Sequence, residues 1–584
     1  MKFTFMRRGI AAAAAVSLVT VGAPIVATSA SAAEACALGA TCEGVLPGTL
    51  GESPYKIQMP EKFNGTVLMY SHGYRIGTPV PAALAAPLGL TVDPNYVRVS
   101  NPAFTATFQS DVAFVGSNAA AVAPSEVVAQ NLLAQGYALA GAGYARQGWA
   151  AAEGVEAGTT LLNMIKAGGI ADTKKMLVWG DSLGGLISQT IAENNPKLVA
   201  GSLPSCGALE GPEQAFSSAM TLLFTWKTLI APNLKVANYA PGPLGYGQAL
   251  TDLGTVLQTL GGVSAGRITA PSGYAIGQTN LLGGLMAGLP TRSAEYDGLT
   301  LNPVAVTQGT AAAIAGGFSP VSAGQSSAIA MLQNVGAAAA LGILGRYELE
   351  QRVRAIGAQR GILAPTDNVN FNDNVDVMYS KLLSLEQRGE FEDTINSSTG
   401  TTIQKPLNSM LAALDASRGN AEVRFSANPT AVAIVNALPA PKGVYSVPTL
   451  LITTTYDAPV PAGNTGDFFA SMKASYNKMN KKKRGLFKAA AFYTIPPVDG
   501  WTKFNANNTV NGALSIAALG SSGVGHCVYT PEQLLGAVRG LNAMTNAKTA
   551  KKVTAAKRIV YAVPGVNTDR LYLPDPLKKP LLAK

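Results

Sequence analysis

Short apolar runs alternate with helical stretches in the first part of the chain, and this alternation constrains the fold more than any other feature. Between about residue 50 and residue 207 the apolar runs lie in GTVLMYSHGY, GYALAGAGY, KKMLVWGD and LVAGSLPSCG. The intervening segments TTLLNMIKAG and LGGLISQTIAENN have helical periodicity. Buried strands separated by helices are typical of a parallel sheet with crossover connections. The sequence therefore predicts an α/β fold, with a mostly parallel sheet flanked by helices.

The alternation stops near residue 208 and resumes near residue 443. The intervening region is rich in Ala, Gly and Ser with helical spacing, as in SSAIAMLQNVGAAAALGILGRYELEQRVRAIGAQ. After the Pro-rich segment ALPAPKG, strand-like runs return in YSVPTLLITTTYD and KAAAFYTIPPV. A chain of 584 residues exceeds what one core usually serves. We therefore predict a sheet core at 33–207 and 443–545, a mainly helical cap insertion at 208–442, and a basic C-terminal segment at 546–584.

The N-terminal residues 1–32 resemble an export signal. A basic start in MKFTFMRRG precedes an apolar run and the small residues up to Ala32, where we expect cleavage. Pro24 shortens the apolar run to less than the ~20 residues that a membrane span needs. Gln333 and Asn334 likewise interrupt the long apolar run of the insertion. The sequence therefore predicts a secreted protein with no stable membrane anchor.

Four cysteines indicate disulfide bonds in a chain that carries an export signal. Four cysteines allow three pairings, and the short spacing of Cys36 and Cys42 favours a local bridge, which leaves Cys206 to pair with Cys527. The sequence has only two histidines and no C-x-x-C or H-E-x-x-H pattern, so we expect no metal site and no cofactor.

The formal net charge of +10 is modest for a chain of this length. The densest basic run, KMNKKKRG at residues 478–485, is typical of a solvated helix face or loop. No aromatic interleaving or nucleic-acid motif accompanies the charge, so we expect no nucleic-acid binding. The sequence leaves the oligomeric state open.

Two serines lie in a G-x-S-x-G pattern, Ser182 and Ser264. Glycine makes up 62 of the 584 residues, so chance alone would yield roughly 0.4 such matches and the pattern by itself decides nothing. Ser182 follows the apolar run MLVW and precedes an amphipathic helix, the strand-turn-helix setting of a nucleophilic serine. Ser264 lies between TLGG and RITAP, where we expect neither strand nor helix. We therefore predict Ser182 as the nucleophile.

A nucleophilic serine needs a base, usually a histidine that a carboxylate orients. The expected chain order of Ser, then Asp or Glu, then His selects His526 over His72. Asp457 ends the apolar run VPTLLITTTYD, where the carboxylate is expected. Asp467 is the nearest competitor, and we interpret it as the cap of the helix that begins with DFFASM. The predicted triad is therefore Ser182, Asp457 and His526.

The remaining histidine, His72, ends an early strand in YSHGYR. A His-Gly pair at this position is expected to shape the loop that supplies one backbone N–H of an oxyanion hole. We predict the N–H of Leu183, directly after the nucleophile, as the first donor. Tyr74 is predicted as the second donor, with Gly73 as the alternative.

Through SHGY, GDSLGG, TYDAPVP and GHC the chain resembles the α/β-hydrolase superfamily over residues 45–207 and 443–545. Secreted bacterial esterases of the tannase and feruloyl-esterase kind carry one cysteine beside the nucleophile and another after the catalytic histidine, bridged together. This chain keeps Cys527 but has Asp181 beside the nucleophile. A bridge from Cys206 to Cys527 would still hold the histidine loop. The departure argues against a tannase-like substrate and leaves the mechanism unchanged.

The resemblance implies a secreted serine esterase that acts on a small-molecule or polymeric ester. The Ala, Leu, Gly and Met content of the insertion favours an apolar or aromatic acyl group. A capped aminopeptidase of the same superfamily is an alternative, in which the acidic runs YELEQ or LEQRGEFED would hold the substrate amine. An acyltransferase is also open. A non-catalytic binding protein is disfavoured because the full set of Ser, Asp, His and glycines is present.

Overall fold

The computed structural model describes 14 segments of the chain, and we refer to them together as the described part. These are residues 35–78, 80–81, 112–113, 118–264, 270–274, 279, 341–372, 413–414, 416–417, 425–454, 457, 459–479, 485–494 and 526–566. The predicted export signal at 1–32, most of the basic run at 478–485 and the end of the predicted C-terminal segment after residue 566 lie outside it. Those predictions are therefore not addressed by the structure.

Eight strands of the described part form one sheet. The strands are β1 (Thr41–Leu46), β2 (Ser53–Gln58), β3 (Thr66–Ser71), β4 (Ala138–Ala142), β5 (Lys175–Asp181), β6 (Gly201–Ser205), β7 (Thr449–Thr454) and β8 (Ala489–Thr494). Their order across the sheet is β1-β2-β4-β3-β5-β6-β7-β8. The pairs from β4 to β8 are parallel, and β2 pairs antiparallel with β1 and β4. The predicted α/β fold with a mostly parallel sheet is confirmed.

Helices connect the strands and cover both faces of the sheet. They are α1 (Glu126–Ala134), α2 (Ala151–Met164), α3 (Leu183–Asn194), α4 (Pro212–Leu229), α5 (Gly242–Ser264), α6 (Arg346–Gln359), α7 (Pro429–Asn436), α8 (Ala462–Lys478), α9 (Pro531–Asn546) and α10 (Ala550–Tyr561). Short π-helical turns follow α2 at Ile165–Gly169 and precede α6 at Leu341–Gly345.

The central strands are buried on both faces, which explains their continuous apolar runs. Along β5, Met176 and Val178 belong to the core layer that contains α2 and α3. Leu177 and Trp179, which point the opposite way because strand side chains alternate, belong to the layer that contains α1, α9 and α10. A strand covered on both faces has no polar face, so its sequence is a continuous apolar run. These runs are the pattern that predicts a parallel sheet.

The hairpin of β1 and β2 is an addition that the apolar runs did not predict. Side chains of β1 alternate between exposed and half-buried positions, as expected at the edge of a sheet. A disulfide joins Cys42 of β1 to Cys36 in the segment before this strand, with a Cα–Cα distance of 6.0 Å. The bond therefore ties the chain just before β1 to the edge strand.

Between β6 and β7 the described elements are the helices α4 to α7, within the range predicted as the insertion. Phe216 of α4 and Leu349 of α6 are buried in the same core layer as α2 and α3. Ser264 is the last residue of α5, so our expectation that it lies outside any helix is wrong. Among the described helices we find none that is both long and apolar enough to cross a membrane.

Candidate active site

Ser182 lies at the turn between β5 and α3, where it is the residue before the first turn of the helix. Its backbone angles are φ 58° and ψ −120°, a conformation that costs energy for any residue with a side chain. Two backbone hydrogen bonds fix the turn: Ser182 donates to Ser205 O over 2.9 Å, and Gly185 donates to Ser182 O over 2.9 Å. The Ser182 hydroxyl does not cap the helix and is available for other contacts.

Glycines let the turn pack against β3. A Cβ atom added to Gly180 would lie 2.5 Å from Ser71 O, and one added to Gly184 would lie 1.9 Å from the same oxygen. No real side chain tolerates such distances, so both positions require glycine for α3 to approach the sheet. The glycine spacing around Ser182 is thus explained by the packing of this turn.

The structure brings together the three residues predicted as a triad. The Nε2 atom of His526 lies 2.7 Å from Ser182 Oγ, and its Nδ1 atom lies 2.9 Å from Asp457 Oδ2. Asp457 is fully buried, whereas the His526 side chain keeps 23% of its exposure. Asp457 Oδ1 accepts a hydrogen bond from Val460 N over 2.9 Å, and Oδ2 accepts one from the Thr454 hydroxyl over 3.2 Å. These bonds hold the carboxylate against the imidazole.

The electrostatic environment makes His526 a stronger base. Burial alone lowers the pKa of the imidazole, because it disfavours the charged form. The negative charge of Asp457, its hydrogen bond and the charge of Asp181 outweigh burial and raise the pKa of His526 above its ordinary value of 6.5. An imidazole with this surrounding is suited to take a proton from Ser182.

A second disulfide anchors the segment that carries His526. Cys527 directly follows the histidine and is bonded to Cys206, at a Cα–Cα distance of 5.5 Å. Cys206 directly follows β6, and its N–H donates to Ile452 O of β7 over 2.7 Å. The histidine segment is therefore tied to the end of the strand beside the nucleophile.

Asp181 is a second carboxylate beside the site, whereas the sequence marks it only as a departure from a family pattern. Its Oδ2 atom accepts a hydrogen bond from Tyr70 over 3.0 Å, and burial raises the pKa of Asp181 to about 6. Its position is the signal in the sequence: Asp181 directly precedes Ser182 and is the last residue of the buried strand β5. The negative charge of Asp181 raises the pKa of His526.

The loop after β3 lies against the nucleophile, as predicted for an oxyanion loop. A Cβ atom added to Gly73 would lie 3.4 Å from Ser182 Cβ. Leu183 is the first residue of α3, and the first N–H groups of a helix have no partner within it. The roles of the Leu183 and Tyr74 N–H groups, with Gly73 as the alternative to Tyr74, stay predictions.

His72 is buried at the start of this loop and is well placed to support it. Its Nδ1 atom lies 2.8 Å from Gly73 O, and its ring stacks on Tyr144 at a centroid distance of 3.8 Å. Tyr144 also donates a hydrogen bond to His72 O over 2.9 Å. Burial lowers the pKa of His72 well below 6.5, so its ring is neutral near pH 7 and donates from Nδ1.

Asp467 does not cap a helix, so our interpretation of this residue is wrong. Helix α8 begins at Ala462 after Pro461, and Asp467 is its sixth residue. The proline has a φ of −53° and starts the helix five residues earlier than the sequence suggested.

Within the described part, one group of three possible metal-ligand residues lies close together: Asp457, His526 and Cys527. The sulfur of Cys527 is bonded to Cys206. The group therefore coincides with the predicted triad and the disulfide, and it offers no thiolate ligand.

Comparisons with known proteins give weak similarities. No protein-family model and no curated protein matches the chain. A ligand-bound structure of the rice cell wall degrading esterase LipA from Xanthomonas oryzae is 13% identical, covering 77% of this chain and 81% of that chain with a TM-score of 0.26. An esterase from Aspergillus oryzae is 10% identical, covering 78% and 72% with a TM-score of 0.27. A Pyrobaculum calidifontis esterase is 16% identical, covering 30% and 47% with a TM-score of 0.18.

A prolyl endopeptidase structure is also similar, at 14% identity and a TM-score of 0.19, and the chain spans 21% of its length. The chain thus spans a fifth of this endopeptidase and about half of the Pyrobaculum esterase. Similarities of this size do not assign an activity. The fold follows instead from the strand order, the parallel register and the turn at Ser182. Together these features give the described part of the chain an α/β-hydrolase fold.

Proposed function

We propose that the protein is a serine hydrolase that cleaves carboxylic esters through an acyl-enzyme intermediate. The observation that carries the proposal is the continuous hydrogen-bonded series from Ser182 Oγ through His526 to Asp457, with distances of 2.7 Å and 2.9 Å. A serine hydroxyl is a poor nucleophile near neutral pH, and such a series is the arrangement that activates it.

In the proposed reaction His526 Nε2 accepts the Ser182 proton as Oγ attacks the ester carbonyl carbon. Asp457 holds the Nδ1 proton, which fixes the tautomer with a free Nε2 and stabilises the imidazolium that forms. The N–H groups of Leu183 and Tyr74 bind the oxyanion, and each such donor is worth about 3 kcal/mol in the transition state. His526 then protonates the leaving alcohol, and water cleaves the acyl-enzyme by the same route in reverse.

The proposed location is outside the cell. Support comes from the export signal predicted at residues 1–32 and from the disulfides Cys36–Cys42 and Cys206–Cys527, which persist in oxidising compartments. The proposed substrate is a small-molecule or polymeric ester with an apolar or aromatic acyl group. Its support is the apolar composition of the insertion.

The aminopeptidase alternative loses one of its two candidate amine-binding runs. In YELEQ, Glu348 accepts hydrogen bonds from Tyr74 and Gly77, and Glu350 accepts two from backbone N–H groups within the insertion. Both carboxylates are engaged inside the protein, which does not favour binding of a substrate amine. The second run, LEQRGEFED, lies outside the described residues. No specific observation favours an acyltransferase.

A fluorophosphonate probe, followed by turnover assays, tests the proposal. We expect covalent labelling at Ser182, hydrolysis of p-nitrophenyl esters across a series of acyl chain lengths, and no turnover of aminoacyl p-nitroanilides. Ser182→Ala and His526→Ala should abolish both labelling and turnover. A folded wild-type protein that is not labelled would end the serine-hydrolase proposal. Turnover of anilides without esters would replace it with a peptidase, and ester consumption only with an added alcohol acceptor would indicate an acyltransferase.

A further inference from the structure

Glu348 connects the region predicted as the insertion to the loop that follows β3. This residue lies in α6, and its Oε2 atom accepts a hydrogen bond from the Tyr74 hydroxyl over 2.6 Å. Its Oε1 atom accepts a hydrogen bond from Gly77 N over 2.7 Å. One carboxylate thus holds the loop at two points three residues apart.

The same carboxylate also packs against a second loop at the carboxyl edge of the sheet. A Cβ atom added to Gly148 would lie 2.4 Å from Glu348 Oε2, so the carboxylate lies directly against this glycine. Gly148 N donates to Arg75 O over 2.8 Å, which joins the two loops. The Glu348 side chain therefore occupies the junction of these loops.

The loop held by Glu348 contains Tyr74, the predicted second oxyanion donor, and Gly73, its alternative. Gly73 lies against Ser182, as its 3.4 Å hypothetical Cβ contact indicates, and Tyr74 is the next residue. The side chain of Tyr74 points to Glu348, so the hydrogen bond constrains the same residue whose N–H is the predicted second donor. A displacement of about 1 Å at such a donor can lower a rate about 100-fold.

We propose that Glu348 is a positioning residue that holds the loop from Gly73 to Gly77, so that the Tyr74 N–H points at the oxyanion. The inference rests on the proposed serine-hydrolase function. It makes the reaction depend on a residue of α6, which does not touch the reacting atoms. Catalytic competence therefore requires α6 to stay docked against the loop after β3.

The chemistry of the contacts is consistent with this role. The Tyr74 hydroxyl and the Gly77 N–H, which contact the carboxylate, are both hydrogen-bond donors. Burial raises the pKa of Glu348 to about 7, and these donors limit the rise because they stabilise the charged form. An amide side chain has one acceptor oxygen and would lose part of this set.

Glu350 provides a matched control on the same helix. It is fully buried and accepts hydrogen bonds from Asn238 N over 2.8 Å and Tyr239 N over 2.7 Å. It also lies 3.8 Å from Arg346. These partners belong to the predicted insertion, so Glu350→Gln disturbs a comparable buried carboxylate without touching the loop after β3.

The experiment compares the wild type with Glu348→Gln, Tyr74→Phe and Glu350→Gln. For each we would measure kcat and KM on p-nitrophenyl butyrate, affinity for a phenylboronic acid as a transition-state analogue, and thermal unfolding. For Glu348→Gln we expect kcat to fall about 10- to 100-fold, with KM within about threefold and boronate affinity falling in parallel with kcat/KM. Tyr74→Phe should lower kcat about three- to tenfold, and Glu350→Gln should leave it within about threefold.

Boronate affinity separates positioning from a structural role, because a loss of stability alone does not change the affinity of the folded enzyme. Unchanged kcat and boronate affinity in folded Glu348→Gln would overturn the inference, as would equal losses in Glu348→Gln and Glu350→Gln. If Glu348→Gln does not fold, Tyr74→Phe decides, and full activity of that variant would overturn the inference. A wild-type protein that fluorophosphonate does not label would refute the proposed function itself.

Discussion

Replacing Asp457 by Asn tests the proposed triad most sharply, because the surrounding hydrogen bonds dictate how the new amide must sit. Val460 N donates to Oδ1 over 2.9 Å, so the oxygen of the Asn side chain stays at that position. The NH₂ group then takes the place of Oδ2, which lies 2.9 Å from His526 Nδ1. The Asn oxygen also lies near the ring, since Oδ1 is 3.0 Å from Nδ1, but the NH₂ group occupies the shorter contact and can only donate. We therefore expect Nδ1 to become an acceptor and the ring proton to move to Nε2.

The consequence is a histidine in the wrong tautomer. Its Nε2–H now points at Ser182 Oγ over the 2.7 Å contact and can no longer accept the serine proton. Substitutions with this effect lower kcat about 10⁴-fold in serine hydrolases of other folds. At 1.36 kcal/mol per factor of ten, this corresponds to about 5 kcal/mol of lost transition-state stabilisation. We expect a loss of this size for Asp457→Asn.

The assay is kcat/KM on p-nitrophenyl butyrate together with the rate of fluorophosphonate labelling at Ser182. Asp467→Asn is the control, since Asp467 was the competing carboxylate and lies in the sixth position of α8. The control should keep activity within about threefold, as expected for a substitution outside the triad. If folded Asp457→Asn kept more than about a tenth of wild-type activity, Asp457 would not orient His526 and the tautomer argument would be refuted.

Three further results follow from the site. Ser182→Ala should lower kcat about 10⁶-fold while Ser264→Ala leaves ester turnover unchanged, as measured on p-nitrophenyl esters. Reduction of the Cys206–Cys527 bond should release the histidine segment and lower kcat at least about tenfold, with recovery on reoxidation, when activity is followed during dithiothreitol treatment. Because His526 must be neutral to accept a proton and its pKa is raised, kcat/KM should increase with pH through a midpoint above 6.5. A midpoint below 6.5 would contradict the described environment of the imidazole.

The strands and the strand-turn-helix setting of Ser182 could be predicted because their signals are local. The run MLVW of β5 is buried on both faces, and the following turn and helix α3 begin within a few residues of it. The chemistry of serine then required a histidine and a carboxylate, and the chain offers only two histidines. Chain order selected Asp457 and His526 without any knowledge of distance.

The features that could not be predicted have three different causes. Tyr74 and Glu348 are 274 residues apart, and no pattern in YELEQ distinguishes a carboxylate that supports a loop from one on a solvated helix. The β1–β2 hairpin was missed because an edge strand with exposed side chains has no apolar run. The error at Asp467 was local: Pro461 starts α8 early, and the aromatic residues of DFFASM lie inside the helix, not at its start.

The sheet topology explains how the disulfide can support the histidine. Ser182 follows β5, Cys206 follows β6 and Asp457 lies three residues beyond β7, and these strands are neighbours in the sheet. Strands lie about 4.8 Å apart, so the ends of β5 and β7 are separated by about 10 Å, too far for a direct hydrogen bond. The imidazole of His526 fills this gap above the end of β6, with contacts of 2.7 Å and 2.9 Å on its two sides. Cys527 is bonded to Cys206, which directly follows β6, so the bridge holds the residue next to His526 between the ends of β5 and β7.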